Sequence, residues 1–336
     1  MNVIRYWFKN ARYRSLAQSV MPAVLAAVMA SRNEGFIWWT ALLAIAGVAM
    51  AHLAMNLADD WFDYRVDMLG DRDKVTRQGF RAMMVKYPYL SSGEQSLKST
   101  AVAIAAFLAV ALGCGIAIWW KMDFDWRIPA IVAACGFLGA FYSAPPLKLA
   151  YRGLGELVIG IIFGPLLMSG VYLAACGSLD WGIVLTGVPV GMLVTNILFT
   201  HSFIDLKGDE ASNKMTFARL LGSRKACLGC SLVLTFAPFM LVILAVCTGY
   251  LHPACLAVLV VLPRGIWLFR SLVLFDRGEL MEVERPARWL GSMPDWEGIH
   301  KAGIDWFMIR WLTARNLLSG FCVVLAIVAI ILRIIG

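Results

Sequence analysis

Charge is scarce in this chain. Only 15% of its 336 residues are Asp, Glu, Lys or Arg, where a soluble domain carries roughly a quarter, and its mean hydropathy is +0.72. That shortage excludes a soluble enzyme with a polar surface and makes lipid the main solvent. No stretch interleaves aromatic with basic residues as a nucleic-acid module would, so the net charge of +8 reads as membrane topology plus attraction to anionic lipid heads or phosphate groups. Only one CxxC occurs, Cys227 to Cys230, without a second pair. The eight cysteines otherwise sit mostly in apolar runs, where Cys packs as a small hydrophobe. No small-residue cleavage site separates the basic N-terminus from a soluble body, so the first apolar run reads as a retained helix. No nucleophilic Ser or Cys is conspicuous.

Apolar runs, by contrast, fill the chain. About 20 apolar residues suffice to cross a ~30 Å hydrocarbon core as helix. Nine such runs are expected, at about 16–33, 36–58, 98–120, 128–146, 154–176, 181–204, 226–248, 253–275 and 314–335. The expectation is one all-α polytopic membrane domain over 1–336, with nine transmembrane helices, cap loops at about 59–97 and 205–225, and an interfacial segment at about 278–313. Most of the 30 Lys and Arg fall before the first run or after the second, fourth, sixth and eighth. The opposite loops hold only Arg32, Lys121 and Arg127. By the positive-inside rule the N-terminus is cytoplasmic and the C-terminus outside, as for an integral protein of a bacterial inner membrane.

Two acidic clusters stand at the ends of apolar runs. An ionisable group costs about 2.5–3.5 kcal/mol at a helix centre in the membrane, so such clusters need a reason. The first, NLADDWFDYRVD, holds Asn56, Asp59, Asp60, Asp63 and Asp67. Residues three, four and seven apart share a helix face, which makes Asn56, Asp60, Asp63 and Asp67 one stripe and leaves Asp59 off it, as a solvated end residue. The second, HSFIDLKGDE, sets His201, Asp205 and Asp209 four apart. Crowded carboxylates repel one another unless a cation intervenes, and hard oxygen donors suit magnesium, which keeps several waters and shares a substrate phosphate. The basic residues nearby, Arg77 and Arg81 after the second run and Lys148 beside Tyr142 after the fourth, read singly as topology determinants and together as phosphate clamps. The two stripes with their basic loops therefore point to a metal-bridged diphosphate.

These motifs resemble the UbiA superfamily of intramembrane aromatic prenyltransferases. Its first acidic pattern, NDxxDxxxD, appears as Asp59 to Asp67, with Asp59 in place of the usual Asn and Asn56 one turn earlier. Its second, DxxxD, appears as Asp205 to Asp209. Within the family, residues 151–173 and 205–222 are most similar to the dihydroxynaphthoate polyprenyltransferases of menaquinone biosynthesis, although His201-Ser202-Phe203-Ile204-Asp205 replaces that branch's usual Asn-Asn-x-Arg-Asp run. The resemblance implies helices ringed around a central cavity that opens sideways to lipid. It also implies two Mg2+ ions held by Asp60, Asp63, Asp67, Asp205 and Asp209, which carry the catalysis. Asn56, Lys148, Arg77, Arg81 and Tyr142 would bind the diphosphate of a polyprenyl donor, and the prenyl group would pass to an aromatic acceptor, 1,4-dihydroxy-2-naphthoate, with His201 as an acceptor contact. Two other classes stay open at this stage. A cation-coupled transporter would place its acids near the bilayer midplane within inverted repeats, whereas a transferase of phospholipid head groups would carry one extended acidic motif. The two Arg of the eighth run, Arg264 and Arg270, have no assigned role.

Overall fold

The computed structural model describes residues 3–67, 87–211, 215–279 and 283–335, and these form helices and connections with no strand. Among the described residues seven helices are long and apolar enough to cross a membrane. They are α2 (Trp38–Asp67), α3 (Leu97–Lys121), α5 (Gly155–Cys176), α6 (Trp181–Ile204), α7 (Arg224–Cys247), α8 (Pro253–Asp276) and α9 (Asp305–Ile335). Two shorter apolar helices, α1 (Ala17–Ala30) and α4 (Arg127–Ser143), stand where the first and fourth crossings are expected. At 1.5 Å per residue they reach only about 21 and 26 Å, less than a hydrocarbon core of about 30 Å. The last helix begins at Asp305, well before the expected residue 314, so residues 305–313 are helix and only 283–304 form a separate strap.

Local chemistry explains several of these bounds. Ser96 accepts a bond from the Ser99 amide at 3.0 Å while Ser99 Oγ accepts one from the Ser96 amide, a reciprocal cap that starts α3 where the apolar run begins. Asp180 and Ser223 cap α6 and α7 through the amides three residues on. Proline lies inside α5, and there residues Ile162–Leu166 widen into a π turn, the usual accommodation of a ring that lacks an amide donor.

Lipid tails are as apolar as leucine, so close backbone approach rather than water exclusion joins membrane helices. The α5–α6 seam shows this. Gly160 and Gly164 on α5 face Gly187 and Gly191 on α6, and a Cβ on Gly164 would lie 2.4 Å from the Gly191 Cα and 2.5 Å from the Gly187 carbonyl. The main core joins α5, α6, α8 and α9 through Leu173, Leu193, Leu268 and Phe321, all without solvent exposure. A smaller core around Leu53, Leu57 and Tyr89 fastens the N-terminal segment and residues 87–90 to α2 and α3. The second core brings the N-terminal arginines to the acidic end of α2.

Candidate active site

A cavity of about 1300 Å³ opens within the helices. One corner is lined by Asn56, Asp59, Asp63, Tyr142 and Tyr151, and the adjoining wall is apolar, with Leu112, Ile116, Trp119 and Val132 from α3 and α4. Leu112 is 55% exposed and Ile116 63% exposed although both line the cavity, so the apolar chamber opens sideways between these helices toward lipid. The position suits a long hydrocarbon whose polar head rests in the acidic corner.

Three carboxylates of α2, Asp59, Asp60 and Asp63, each have a hydroxyl donor from a different segment. Ser143 at the end of α4 donates to Asp59 at 2.9 Å, Tyr151 in the following turn donates to Asp63, and Tyr89 donates to Asp60 at 3.2 Å. Arg12 adds a full positive charge, with Nη2 at 3.3 Å from Asp60, 3.6 Å from Asp59 and 3.0 Å from the Asn56 carbonyl. Its backbone is left-handed, φ 59, and the turn is pinned because Asn56 Nδ2 donates to the Ala11 carbonyl and to Ser15 Oγ. Burial alone would weaken the hold of Arg12 on its proton, but the Asp60 and Asp59 carboxylates outweigh it and raise the guanidinium above its usual range. Burial, reinforced by Asp60, likewise raises the Tyr89 phenol, so that it stays a proton donor.

The geometry differs from the stripe expected from spacing. Asp59 is on the cavity wall, whereas Asp60 is 2% exposed and covered by Arg12 and Tyr89. The N-terminal segment packs on the Asp60 side of α2 and turns Asp59 inward, which no periodicity within α2 records. In the second cluster the four-residue spacing persists past the end of α6, since the Asp205 amide bonds the His201 carbonyl at 3.0 Å and the Asp209 amide bonds the Asp205 carbonyl at 2.8 Å. His201 lines the cavity and meets the Phe307 ring edge-on at 5.1 Å. Asp205 and Asp209 are buried and are not among the lining residues, and the Asp205 carboxylate lies so close over Gly208 that a Cβ there would sit 2.2 Å from it. Lys148 is exposed near the acidic corner rather than within it. Arg77 and Arg81, and the side chain of Asp67, lie outside the described residues.

Glu156 has no place in the sequence reading. It is 6% exposed on the cavity wall and accepts from Ser202 Oγ at 2.6 Å and from the Phe217 amide at 3.2 Å. It thereby ties α5 to α6 and to the loop after the second acidic cluster. A glutamate in the first turn of a span was its only signal, and that position also fits an ordinary response to the helix dipole. Among the described residues no three His, Cys, Asp or Glu side chains cluster tightly enough to enclose a metal. Magnesium does not need such a cage: two carboxylates and an amide on an open polar wall supply hard oxygen donors and leave room for water and phosphate oxygens. The residues present fit that ion.

A helical membrane bundle with a lipid-facing apolar chamber and an acid- and tyrosine-lined head site defines an intramembrane enzyme for an amphiphilic, anion-headed substrate. The chain belongs to the UbiA prenyltransferase family, whose model matches residues 19–289. Among its curated relatives are a 1,4-dihydroxy-2-naphthoate octaprenyltransferase of Mycobacterium tuberculosis, 26% identical over 77% of this chain and 83% of that protein, and a 2-carboxy-1,4-naphthoquinone phytyltransferase of Synechocystis, 32% identical over 46% of this chain and 49% of that protein. Its fold is similar to that of a UbiA homologue from Archaeoglobus fulgidus solved with DMAPP and Mg2+, with TM-score 0.60, 16% identity and coverage of 96% of this chain and 98% of that one.

Proposed function

We propose that this protein transfers a polyprenyl group from a polyprenyl diphosphate to 1,4-dihydroxy-2-naphthoate, as a step of menaquinone biosynthesis. The observation that carries the reading is the continuity of the oxygen-rich corner at Asn56, Asp59 and Asp63 with an apolar chamber open to lipid. The matching chemistry of the relatives' names supports the acceptor. In this reading Asp59, Asp60, Asp63 and Asp67 with Asp205 and Asp209 hold two Mg2+ ions, which supply charge neutralisation for the diphosphate when bound. Arg12, Lys148, Arg77 and Arg81 contact phosphate oxygens, and Tyr142 and Tyr151 fix the head group by hydrogen bonds. In this reading α1 and α4, each lengthened by the turns that flank it, complete nine crossings, the N-terminus lies in the cytoplasm, the C-terminus outside, and the membrane is a bacterial inner membrane.

Bond accounting follows from that arrangement. The allylic C–O bond breaks and its electron pair stays on the diphosphate oxygen, where the cationic side chains are strongest because charge is growing there. An electron-rich ring carbon forms the new C–C bond. The ring regains aromaticity by losing a proton, or carbon dioxide where the attacked carbon carries the carboxylate. The apolar walls keep water from the allylic carbon. Membranes containing the protein, offered a polyprenyl diphosphate with dihydroxynaphthoate or with hydroxybenzoate, test the reading by mass spectrometry of the products. A prenylated naphthalene product is expected, and its absence beside a prenylated benzoate would reassign the acceptor.

A further inference from the structure

The strap 283–304 does not simply cross the end of the bundle. Trp289, Leu290 and Ser292 are met by side chains from two spans: Arg264 Nε of α8 donates to the Trp289 carbonyl at 2.7 Å, Asn316 Nδ2 of α9 donates to the Leu290 and Ser292 carbonyls at 3.0 and 2.9 Å, and Arg315 Nη2 donates to the Ser292 carbonyl at 3.1 Å. Arg264 also reaches the Asn316 carbonyl at 3.2 Å. Phe275 and Trp306 stack at 5.9 Å near the acidic end of the same two helices. Arg264 and Asn316 lie ten to eleven residues further along them, roughly 15 Å deeper at 1.5 Å per residue. The strap thus descends beside α8 and α9. Irregular backbone at such a depth is tolerated when protein donors satisfy its carbonyls and it lines a cavity, and Pro294, Asp295 and Ile299 of the strap do line the cavity.

Arg264 and Arg315 share the duty of holding the strap but differ in what else they face. Arg264 does not line the cavity, whereas Arg315 does, together with Trp311 one turn earlier. The partners of Arg315 are the Ser292 carbonyl and, at 3.5 Å, Asn316 Oδ1, both neutral, and among the described residues no carboxylate stands within ion-pair distance of it. Asp295, the strap's own carboxylate on this wall, makes no ion pair with it. A guanidinium on a cavity inside a membrane domain is costly without an anion. Among the described residues the other two arginines on the cavity, Arg12 and Arg14, belong to the N-terminal segment, where Arg12 is already engaged by Asp59 and Asp60.

We propose that Arg315 binds the carboxylate of the aromatic acceptor, with the strap as the outer wall of the acceptor recess. The assignment rests on the reading of the acceptor as a carboxylated aromatic and adds the residue that recognises the carboxylate. The planar guanidinium fork matches a carboxylate, and Trp311 and Ile299 line the same cavity and offer apolar surface to a ring. His201 is on the same cavity about two helical turns nearer the acidic end, against Phe307. An acceptor anchored at Arg315 therefore extends its ring toward the corner where the donor's head group sits, while the prenyl chain occupies the part of the same cavity lined by α3 and α4.

The test is binding without donor. Quenching of tryptophan fluorescence in detergent-solubilised full-length protein is titrated with 1-hydroxy-2-naphthoate and with 1-naphthol, which lacks the carboxylate. The wild type should prefer the carboxylated ligand. Arg315→Gln should weaken it by roughly ten- to hundredfold, the usual loss for one charge-assisted pair, and leave 1-naphthol within about twofold; Arg315→Lys should restore part of the loss. Equal weakening of both ligands would mean that Arg315 only supports the strap, and no weakening of either would also overturn the proposal. In steady state the acceptor KM should rise with the donor KM unchanged, and a rise in the donor KM instead would assign Arg315 to diphosphate. A wild type that binds 1-hydroxy-2-naphthoate through Arg315 yet yields no prenylated naphthalene would refute the proposed reaction while keeping this assignment.

Discussion

Arg12 occupies the place where a divalent cation would neutralise the α2 carboxylates, so its removal should make the substrate-free protein a better metal binder. The perturbation is Arg12→Gln, which keeps a side-chain donor for the Asn56 carbonyl and removes the charge. Two contacts, at 3.3 Å to Asp60 and 3.6 Å to Asp59, must be given up or shared when a cation enters. The Arg12 side chain is 42% exposed, so solvent screens each contact to about 0.5–1 kcal/mol. Relief of both is worth about 1–2 kcal/mol, roughly a five- to thirtyfold tighter dissociation constant at about 1.4 kcal/mol per decade. Titration of Mn2+ into metal-free protein, followed by the electron paramagnetic resonance of the free ion, measures this without turnover. The donor KM should move in the opposite direction, because Arg12 then no longer meets the diphosphate. Equal or weaker Mn2+ binding by Arg12→Gln would refute the view that this arginine and the metal compete for the same carboxylates.

Other consequences are simpler. Asp60→Asn or Asp205→Asn should lower prenyl transfer by roughly a hundredfold or more while expression and membrane insertion stay near normal; wild-type turnover by both variants would remove their assigned metal role. EDTA should abolish turnover and added Mg2+ restore it, and turnover insensitive to the chelator would contradict the proposed chemistry. Gly164→Leu should lower the melting temperature in detergent or prevent insertion. Its Cβ alone would stand 2.4 Å from the Gly191 Cα, and forced overpacking costs about 1–3 kcal/mol even where side chains can yield; an unchanged melting curve would show that α5 and α6 do not rely on this contact.

The helices and the two acidic motifs were legible because they are periodic and local. Apolar runs predicted α3 and α6 to within a residue or so at each end, and the caps at Ser96 and Asp180 act over three residues. The start of α9 was misplaced because Trp306 and Trp311, standing among charges such as Arg310, look interfacial in sequence. In the structure Arg310 is 1% exposed, with its Nε bonded to the Ser271 carbonyl at 3.0 Å, so a neighbouring helix satisfies what lipid could not.

By itself the sequence determined that the chain is helical and solvated by lipid, because few charges and long apolar runs leave no other place for the backbone's polar groups. It also determined that carboxylates gather in turn-spaced rows at the ends of two helices. Only tertiary structure decided that Asp59 faces the cavity while Asp60 lies beneath Arg12, that Glu156 clamps two helices and a loop, and that Arg264, Arg315 and Asn316 hold a strap drawn from the next segment of chain. Those choices depend on contacts between residues tens of positions apart, and no local periodicity encodes which neighbour a charged side chain will find.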